Sequence, residues 1–547
     1  MRTVIIGGVA GGMSAATRLR RLDADSQIIV LEKSGHVSYA NCGLPYYVGG
    51  VIEQESSLLL QTPESLHARF RLDVRVNTEV LSIDPIKKSV TIKNLDSHET
   101  HEINYDKLIL SPGASPVVPP LPGIERGMTL RTVEDVEKIA AHVSAKPKSA
   151  VVIGGGFIGV EIAENLIHKG IQTSLVEATD QVLMPLDPEL ATLVSAEMIK
   201  HGVNLYLGAS VVSIGADSVE LSNGDTVPAE IVILAIGVRP EISLAKAAGL
   251  TIGTRNGIKV DDFNRTSNLD IYAVGDAAEK SDALDGSATL VPLANLANRH
   301  GRVVADHIAG RSIRPVKTIG TAIVKVFDLM IATTGWNEKR LKAASRAYQS
   351  IHTHPSSHAG YYPDAKQMSL KLIFEPTTGE ILGAQGVGTE GVDKRIDVIA
   401  TAIRGGITAP ELADLELAYA PPFSSAKDPV NMLGYVAENI VSGLTQVAQW
   451  DEIHEYMDKG YTLIDVRSVS ECGKGMIPGA INIPVDEIRE RQSEITNKNL
   501  LVNCQVGQRG HTASMLLKEL GFNPVNLDGG YLTWMNSPAA TPVLVTN

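Results

Sequence analysis

The sequence predicts an α/β protein built from several domains. A strand, a glycine-rich turn, a helix and a second strand follow one another from Val4 to Leu31, and the same order recurs from Ala150 to Val176. From Gly320 to Ala384 the apolar residues fall into alternating strands, which is typical of an antiparallel sheet. A new start at Trp450 then leaves about 100 residues, enough for one small domain.

Length and composition exclude several classes of protein. The chain has 547 residues, too many for one hydrophobic core, and 44% of them are hydrophobic, as in multidomain globular proteins. A net charge of -13 argues against binding of nucleic acid, which requires clustered Lys and Arg. No apolar run is long enough to span a membrane, and the first strand leads into a glycine turn rather than a cleavage site. We therefore expect a cytoplasmic protein with no membrane or nucleic-acid partner.

The chain has three cysteines, Cys42, Cys472 and Cys504. They are too few for a disulfide framework, which is normal in a reducing compartment. None of them has the CxxC spacing of a structural zinc site, so we expect no metal. Any cysteine chemistry must therefore use these residues singly.

The first strand–turn–helix unit predicts a dinucleotide site. Its glycines are Gly7, Gly8, Gly11 and Gly12, with Val9 where the usual fingerprint has its middle glycine. Glu32 ends the second strand, where a carboxylate can accept both ribose hydroxyls while the pyrophosphate lies at the helix N-terminus. Tight turns need glycine in any case, so the prediction depends on Glu32 and the flanking strands together.

The second unit predicts a second dinucleotide. Gly154, Gly156 and Gly159 follow the full G-x-G-x-x-G order, and Glu177 ends the next strand. No Arg follows Glu177 closely, so a 2′-phosphate would meet a carboxylate. The sequence therefore favours NADH over NADPH.

A third segment, Leu269 to Asp276, ends a strand in a Gly-Asp turn. It resembles the second FAD motif of flavoprotein reductases with two dinucleotide domains, in which the aspartate binds the ribityl chain. An ordinary Asp turn would look the same in isolation. Because the segment follows two nucleotide units, we expect FAD in the first of them.

Cys42 lies just after the first unit, in the segment Ser38-Tyr39-Ala40-Asn41-Cys42-Gly43-Leu44-Pro45-Tyr46-Tyr47. Flavoprotein reductases that use two cysteines have the second one a few residues later, but Tyr46 and Tyr47 occupy those positions here. Cys42 would therefore cycle through a mixed disulfide, a persulfide or a sulfenic acid. Beside a flavin and near a helix start, its thiolate form should be favoured.

That segment resembles the coenzyme A disulfide reductases, and the resemblance extends over the first 440 or so residues. It includes Gly8 to Gly12, Arg20 to Asp23, Tyr361 to Pro363 and Tyr419 to Pro422. The resemblance implies that Ser38, Asn41 and Cys42 line a substrate channel. It also implies that Tyr361 and Tyr419 reach the thiol site from the other subunit of a homodimer.

The resemblance adds further site residues. Arg18 and Arg21 share a helix face and could pair with the phosphates of coenzyme A as substrate or bound ligand, although a solvated basic face fits the same pattern. The residues expected to bind FAD or NADH are Gly7, Ala10, Gly12, Glu32, Lys33, Val80, Gly113, Asp276, Ala294, Gly154, Gly156, Ile158, Gly159, Glu177 and Gly237.

The C-terminal region carries a second candidate sulfur site. Cys504 to Arg509 follows the apolar strand Leu500 to Val502 and precedes a helix predicted near His511. Backbone N–H groups of such a loop can stabilise a thiolate or a persulfide anion. The segment resembles the rhodanese active loop, and four residues separate Cys504 from Arg509, one fewer than in the related phosphatases. Cys504 and Arg509 are the predicted catalytic pair, Cys472 is expected to be structural, and an inactive regulatory module is the alternative.

The predicted domains follow from these motifs. We expect two Rossmann-like dinucleotide-binding domains, an α+β dimerisation domain and a C-terminal rhodanese-like α/β domain. Their predicted bounds are 1–115 with 250–320 for FAD, 116–249 for NADH, 321–444 for dimerisation and 445–547 for the rhodanese-like domain.

Our hypothesis is that NADH reduces FAD, which reduces sulfur attached through Cys42, while Cys504 donates or accepts a sulfane sulfur. A persulfide of coenzyme A or of a small thiol, or a polysulfide, would serve both sites. The alternatives are a coenzyme A disulfide reductase proper, an NADH oxidase or peroxidase, and a redox-sensing sulfur-delivery protein that is not an enzyme.

Overall fold

The computed structural model describes residues 1–540. The last part of the predicted rhodanese-like domain, 541–547, lies outside the described residues. The chain divides into two compact units. Unit 1 comprises Met1–Ala178, Gly202–Asn204 and Ala209–Ile319, and unit 2 comprises Thr179–His201, Leu205–Gly208 and the chain from Gly320 onwards.

The first nucleotide region begins with the predicted strand, glycine turn and helix. Its elements are β1 (Arg2–Ile6), α1 (Ala10–Leu22), β2 (Gln27–Leu31), α2 (Leu44–Val48), α3 (Pro63–Phe70), β3 (Asp73–Arg75), β4 (Thr78–Asp84), β5 (Ser89–Asn94), β6 (Thr100–Asn104), β7 (Lys107–Leu110) and β8 (Ala114–Pro116).

The second nucleotide region repeats this order. Its elements are β9 (Gly127–Thr129), α4 (Val133–Ser144), β10 (Ser149–Ile153), α5 (Phe157–His168), β11 (Gln172–Glu177), α6 (Pro188–Lys200), β12 (Asn204–Leu207), β13 (Val211–Ile214), β14 (Ser218–Leu221), β15 (Thr226–Pro228), β16 (Ile231–Leu234), β17 (Val238–Pro240) and α7 (Ser243–Ala247). The chain then returns through β18 (Ile271–Ala273), β19 (Lys280–Ser281), β20 (Ala288–Thr289) and α8 (Ala294–Ile308).

Two parallel sheets organise unit 1. The first has the order β18-β7-β1-β2-β3. Its first four strands are almost wholly buried between two apolar layers, as parallel sheets require, and the edge strand β3 is partly exposed. The second contains β11, β10, β16 and β9 side by side, again all parallel. In both sheets the glycine turn follows the central strand, so each turn lies at the carboxyl edge where ligands bind in doubly wound folds.

The region after residue 320 forms the predicted antiparallel sheet. Its elements are β21 (Ala322–Val326), β22 (Leu329–Gly335), α9 (Glu338–Ala343), β23 (Gln349–Thr353), β24 (Met368–Phe374), β25 (Ile381–Gly388), α10 (Val392–Gly405) and α11 (Pro429–Val441). The strand order is β21-β22-β25-β24-β23, and α10 and α11 cover one apolar face. Asp428 caps α11, because its side chain accepts the Val430 N–H at 2.9 Å.

The C-terminal region is a small parallel α/β domain. Its elements are β26 (Val447–Ala448), α12 (Ile453–Asp458), β27 (Thr462–Asp465), α13 (Val469–Cys472), β28 (Ile481–Asn482), α14 (Ile488–Arg491), β29 (Asn499–Asn503), α15 (Gln508–Glu519), β30 (Asn523–Leu527) and α16 (Gly530–Met535). The strand order is β26-β30-β29-β27-β28, all parallel.

Two helices begin earlier than the sequence predicts. The Ala-rich and Arg-rich stretch from Met13 to Leu22 predicts the first helix, but α1 starts at Ala10. Helix α15 starts at Gln508 rather than near His511. In each case a glycine with positive φ, Gly7 or Gly507, ends the loop, and the chain becomes helical within three residues of it. Within residues 1–540, the structure contains no helix with both the length and the apolar character needed to cross a bilayer.

Candidate functional site

The glycine turn after β1 fits a dinucleotide. Gly7 has φ +98, and a Cβ there would collide with the carbonyl oxygen of Ser111. The Gly8 N–H donates to Glu32 Oε2 at 2.8 Å. A Cβ at Gly12 would collide with the Gly7 carbonyl. The turn is thus closed tightly by glycines, and Glu32 lies beside it, as a ribose-binding carboxylate must.

Helices α1 and α8 meet beside this turn. They begin at Ala10 and Ala294, two of the expected cofactor residues. A Cβ at Gly301 would collide with the Gly11 carbonyl, so the two helices approach at backbone distance. Both N-termini belong to unit 1, and an N-terminus of this kind suits binding of a phosphate.

Asp276 lies in the turn after β18, where the FAD motif predicts it. Burial raises the pKa of this carboxyl, while the charges of Lys280 and Arg131 act in the opposite direction. Gly113 has φ +75, and a Cβ there would collide with the Arg131 guanidinium. Arg131 thus lies close to Gly113 and acts through its charge on Asp276, so it offers a cation near two of the residues expected to bind FAD.

The two remaining expected residues of this site differ in exposure. Val80 is 8% exposed and belongs to an apolar core. The Lys33 side chain is 70% exposed and pairs with Glu79 Oε1 at 2.8 Å. Lys33 directly follows Glu32, and Val80 lies on β4, whose first residue, Thr78, donates its backbone N–H to the Glu32 carbonyl at 2.9 Å.

The second glycine turn leaves room for a ligand. Gly154 has φ +109, whereas a Cβ at Gly156 would meet no atom of residues 1–540 within 4 Å. The Gly155 N–H donates to Glu177 Oε2 at 2.7 Å. The open space at Gly156 suits the close approach of a pyrophosphate to the backbone.

Three other expected residues surround this turn. A Cβ at Gly159 would collide with the Gly154 carbonyl, so this glycine permits close packing of helix and strand. Ile158 is 36% exposed on the first turn of α5, and Gly237 has φ +106 just beyond β16. The chain therefore supplies a second nucleotide-binding turn of the type that the sequence predicts.

Cys42 is solvent-exposed in a 3-10 turn, Asn41–Gly43, directly before α2. Ser38, four residues earlier, has φ +50, an uncommon conformation for a residue other than glycine. Partial desolvation raises the pKa of the Cys42 thiol, and the charges of Glu161 and Asp276 raise it further. The side chains around Cys42 therefore act against the thiolate, and the expectation that a bound flavin favours it stays a prediction.

A half-buried carboxyl near Cys42, that of Glu161, was not predicted from the sequence. The Tyr46 hydroxyl donates to Glu161 Oε1 at 3.2 Å. Burial raises the pKa of Glu161 to about 7, the Tyr46 hydrogen bond opposes this, and Glu164 adds to it. Glu161 comes two residues after Gly159, so the glycine motif could have indicated it.

The two predicted phosphate-binding arginines have partners of their own. Arg18 donates through Nε and Nη2 to Asp306 Oδ1, at 2.9 and 2.7 Å. The Arg21 guanidinium lies 5.1 Å from the centre of the Phe70 ring and stays exposed. Arg21 is therefore the more available of the two for a phosphate.

In unit 2 the structure brings the two predicted tyrosines together. The hydroxyls of Tyr361 and Tyr419 lie 2.8 Å apart, and the residues are 77% and 47% exposed. Arg395, which is 1% exposed, joins the loops that carry them, because it donates to the Ser357 carbonyl and to Ser424 Oγ. The sequence predicts neither this buried arginine nor its partners.

The C-terminal loop encloses its cysteine. Cys504 is fully buried, and the Gly507 N–H donates to its Sγ at 3.2 Å. Arg509 forms a bidentate pair with Glu471, at 2.9 and 2.6 Å. The Arg509 guanidinium holds the pKa of Glu471 at about 2. Glu471, which the sequence does not single out, thus orients the predicted catalytic arginine, while its neighbour Cys472 is buried.

The three parts of the chain match known families. Residues 1–301 match the pyridine nucleotide-disulphide oxidoreductase family, residues 321–429 its dimerisation domain, and residues 449–537 the rhodanese-like domain. These matches confirm the predicted fold class. The first family implies FAD and NAD(P)H as cofactors, and the two glycine turns fit both.

Relatives cover most of the chain or nearly all of it. A coenzyme A disulfide reductase of Staphylococcus aureus is 34% identical over 441 residues, which is 80% of this chain and all of that protein. The crystal structure of reduced Bacillus anthracis CoADR-RHD has a TM-score of 0.97 and 49% identity, covering 98% of each chain. A NAD-dependent persulfide reductase from A. fulgidus has a TM-score of 0.92 and 38% identity, covering 98% of this chain and 100% of that one. The chain therefore belongs to the pyridine nucleotide-disulphide oxidoreductase family and is an oxidoreductase with an attached rhodanese-like domain.

Proposed function

We propose that the protein reduces the sulfur–sulfur bond of a persulfide or disulfide of coenzyme A, or of another small thiol, at Cys42. The observation that carries the proposal is the presence in one chain of two unpaired cysteines with different surroundings. Cys42 is exposed and can be reached by a substrate, whereas Cys504 is enclosed by a loop whose N–H donates to its sulfur. The sulfur of a persulfide can react with either cysteine.

The reaction balances with one nicotinamide. A persulfide R–S–SH, NADH and a proton give the thiol R–SH, hydrogen sulfide and NAD+. FAD held by the first glycine turn and Asp276 would supply two electrons, drawn from NADH, to cleave the S–S bond that Cys42 forms with the substrate. Cys42 Sγ attacks the substrate, forms a new S–S bond and releases the other sulfur as thiol or hydrosulfide.

The side chains around Cys42 serve the proton part of this reaction. Glu161 has a pKa of about 7 and can hold or release a proton near neutral pH. Its Tyr46 partner belongs to the helix that follows Cys42. Cys504 would receive or donate a sulfane sulfur, with the Gly507 N–H and Arg509 stabilising its anion. We further propose a homodimer, supported by the match to the dimerisation domain.

Cysteine variants test the function under anaerobic conditions. NADH oxidation is measured with a coenzyme A persulfide, coenzyme A disulfide, peroxide and oxygen as acceptors. Cys42→Ser should abolish turnover with the sulfur acceptors, and Cys504→Ser should retain it but lose transfer of sulfane sulfur from thiosulfate. Cys472→Ala, the third cysteine of the chain, is the matched control and should retain both.

The acceptor profile separates the alternatives. Faster turnover with the disulfide than with the persulfide would support a coenzyme A disulfide reductase, as in the named S. aureus relative. Persulfide-dependent oxidation that survives Cys42→Ser would refute the proposed mechanism. Negligible turnover with every acceptor would favour the sulfur-delivery protein.

A further inference from the structure

A network of buried, hydrogen-bonded charged side chains joins the antiparallel sheet to the C-terminal domain within unit 2. His352, on β23, is 3% exposed. Its Nδ1 lies 2.6 Å from Asp528 Oδ2, and its Nε2 lies 2.9 Å from Glu189 Oε1. Carboxylate oxygens accept and do not donate, so both ring nitrogens carry protons and His352 is an imidazolium. Burial alone would lower its pKa, but Asp528 and Glu189 raise it to about 9.

In this network of charged side chains, a lysine holds Glu189, the partner of His352 on the side away from Asp528. Lys371, which is 1% exposed, donates to Glu189 at 2.5 Å, Asp187 at 2.9 Å and Glu338 at 2.7 Å. Glu189 therefore has a cation on each side, Lys371 and His352. A shift of the imidazolium toward Glu189 would disturb the hydrogen bonds that Lys371 makes with its three carboxylates. The other hydrogen bond of the imidazolium is made to Asp528.

Asp528 begins the turn that packs on the Cys504 loop. Its carboxylate accepts the Nδ1–H and, at 3.1 Å, the backbone N–H of His352. Two residues later a Cβ at Gly530 would collide with the Cys504 carbonyl, and the next N–H, of Tyr531, donates to that carbonyl at 2.7 Å. The turn thus forms a wall of the loop.

The same turn contacts the other end of the loop. A Cβ at Gly507 would lie 3.3 Å from the Gly529 nitrogen, and the Leu532 N–H donates to the Gln505 carbonyl at 3.0 Å. Gly507 is the residue whose N–H donates to Cys504 Sγ. A displacement of the turn would therefore reach the donor that faces the reactive sulfur.

We propose that His352 and Asp528 are positioning residues for Cys504. The imidazolium fixes the Asp528 carboxylate, and Asp528 fixes the Gly529–Gly530 turn, which holds Gly507 against the sulfur. The proposal rests on the sulfur-transfer role of Cys504 proposed above and extends it to a residue of another domain. Because an unpaired buried carboxylate is strongly disfavoured, loss of His352 should move Asp528 and the turn toward solvent.

A neighbouring histidine provides a matched control. His354 also joins the two domains, through Ser369 Oγ at 3.0 Å and Thr533 Oγ1 at 2.7 Å. Burial and the charge of His352 lower its pKa to about 3, so this histidine is neutral. Its C-terminal partner, Thr533, belongs to α16 rather than to the turn before it. A variant of His354 therefore weakens the same domain contact without releasing Asp528.

The test compares His352→Gln, Asp528→Asn and His354→Gln in the full FAD-loaded chain. The first readout is the rate at which iodoacetamide alkylates Cys504, measured by mass spectrometry of the cysteine-bearing peptide. We expect a rise of about fivefold or more for His352→Gln and Asp528→Asn, since a loosened loop exposes the sulfur. We expect a change of less than about twofold for His354→Gln. The double variant His352→Gln/Asp528→Asn should add little to either single change, because both remove one interaction.

The second readout is activity. Transfer of sulfur from thiosulfate should fall about tenfold in kcat in the two test variants, while NADH-dependent disulfide reduction stays within about twofold. Equal alkylation rates in all three variants, at matched losses of Tm, would overturn the proposal and leave His352 as a domain contact only. If the unaltered protein transfers no sulfur, the proposed role of Cys504 fails, and the alkylation rates still decide whether His352 positions it.

Discussion

Among the charged side chains near Cys42, Glu161 has the largest effect on the pKa of the thiol. At pH values above about 7 its carboxyl is ionised, and this charge raises the pKa of Cys42. The same carboxyl is protonated in more acidic solution, where its effect on the thiol disappears. One residue thus makes the reactivity of Cys42 depend on pH in a second way, beyond the titration of the thiol itself.

We predict that Glu161→Gln speeds alkylation of Cys42 near pH 8. Removal of the negative charge lowers the pKa of the thiol, so more thiolate is present, and we expect a rise of about threefold. The measurement is the iodoacetamide rate in the NADH-reduced holoenzyme without oxygen. Near pH 6 the two proteins should converge because Glu161 is then protonated.

The exposed carboxylate of Glu53 provides the control for this comparison. Glu53→Gln changes the net charge by the same amount and should leave the rate unchanged. The ratio of the alkylation rates of Glu161→Gln and the unaltered protein should differ between pH 8 and pH 6. An equal ratio at both pH values would contradict the assigned effect of the Glu161 charge on Cys42.

At the scale of an element, the turn between β10 and α5 offers two glycines with opposite constraints. We predict that Gly154→Ala destabilises the fold by about 2 kcal/mol or more, because Gly154 has φ +109 and a Cβ there would collide with the Ala235 carbonyl. Gly156→Ala should leave Tm almost unchanged, because Gly156 has φ -76 and, among the described residues, no atom lies within 4 Å of its Cβ position.

Gly156→Ala should instead weaken nucleotide binding, although it leaves stability almost unchanged. A methyl group there occupies the space that a pyrophosphate needs, so KM for NADH should rise several-fold while FAD content stays the same. Thermal unfolding and steady-state kinetics measure both variants. An unchanged KM for Gly156→Ala would show that this turn does not contact the nucleotide.

Strand β23 carries a second prediction at this scale, through the charge on His352. The pKa of His352 is raised from 6.5 to about 9 in the folded protein, so its contribution to stability is fully present below about pH 6.5 and is lost as pH rises through 9. At 1.36 kcal/mol per pKa unit, the contribution reaches about 3 kcal/mol.

The prediction is tested with thermal unfolding followed by circular dichroism. The Tm of the unaltered protein should exceed that of His352→Gln clearly near pH 6, and the difference should shrink as pH approaches about 9.5. His354→Gln, which removes a neutral histidine, should lower Tm by an amount that does not change over this range. A constant difference for His352→Gln would mean that the ring is neutral when folded.

For the whole molecule, the proposed homodimer predicts complementation between subunits. The resemblance to coenzyme A disulfide reductases implies that Tyr361 and Tyr419 complete the thiol site of the partner subunit. A hybrid dimer of a Cys42→Ser chain and a Tyr361→Phe/Tyr419→Phe chain would then contain one intact site. We expect it to recover about half the activity of the unaltered dimer.

The hybrid is purified through two different affinity tags, and its kcat is compared with those of both parent homodimers. If the tyrosines served the cysteine of their own chain, each chain of the hybrid would be defective and no activity would return. Light scattering gives the oligomeric state of each preparation. A monomer would refute the dimer proposal directly.

The sequence by itself determined the features that depend on neighbouring residues. The two glycine turns with Glu32 and Glu177, the isolated Cys42 and the loop from Cys504 to Arg509 each lie within a short stretch of chain, where periodicity and spacing specify strand, turn and helix. The prediction of fold class was confirmed for the same reason, because the order of such segments defines the sheets.

Only the tertiary structure decided which distant groups meet. Glu161 joins Tyr46, Glu471 joins Arg509, and His352 joins Asp528 across 176 positions of the chain. Local patterns carry no information about such partners, since these contacts arise when separate elements pack. The same packing acts against the thiolate of Cys42, because partial desolvation and the carboxylates of Glu161 and Asp276 raise the pKa of its thiol.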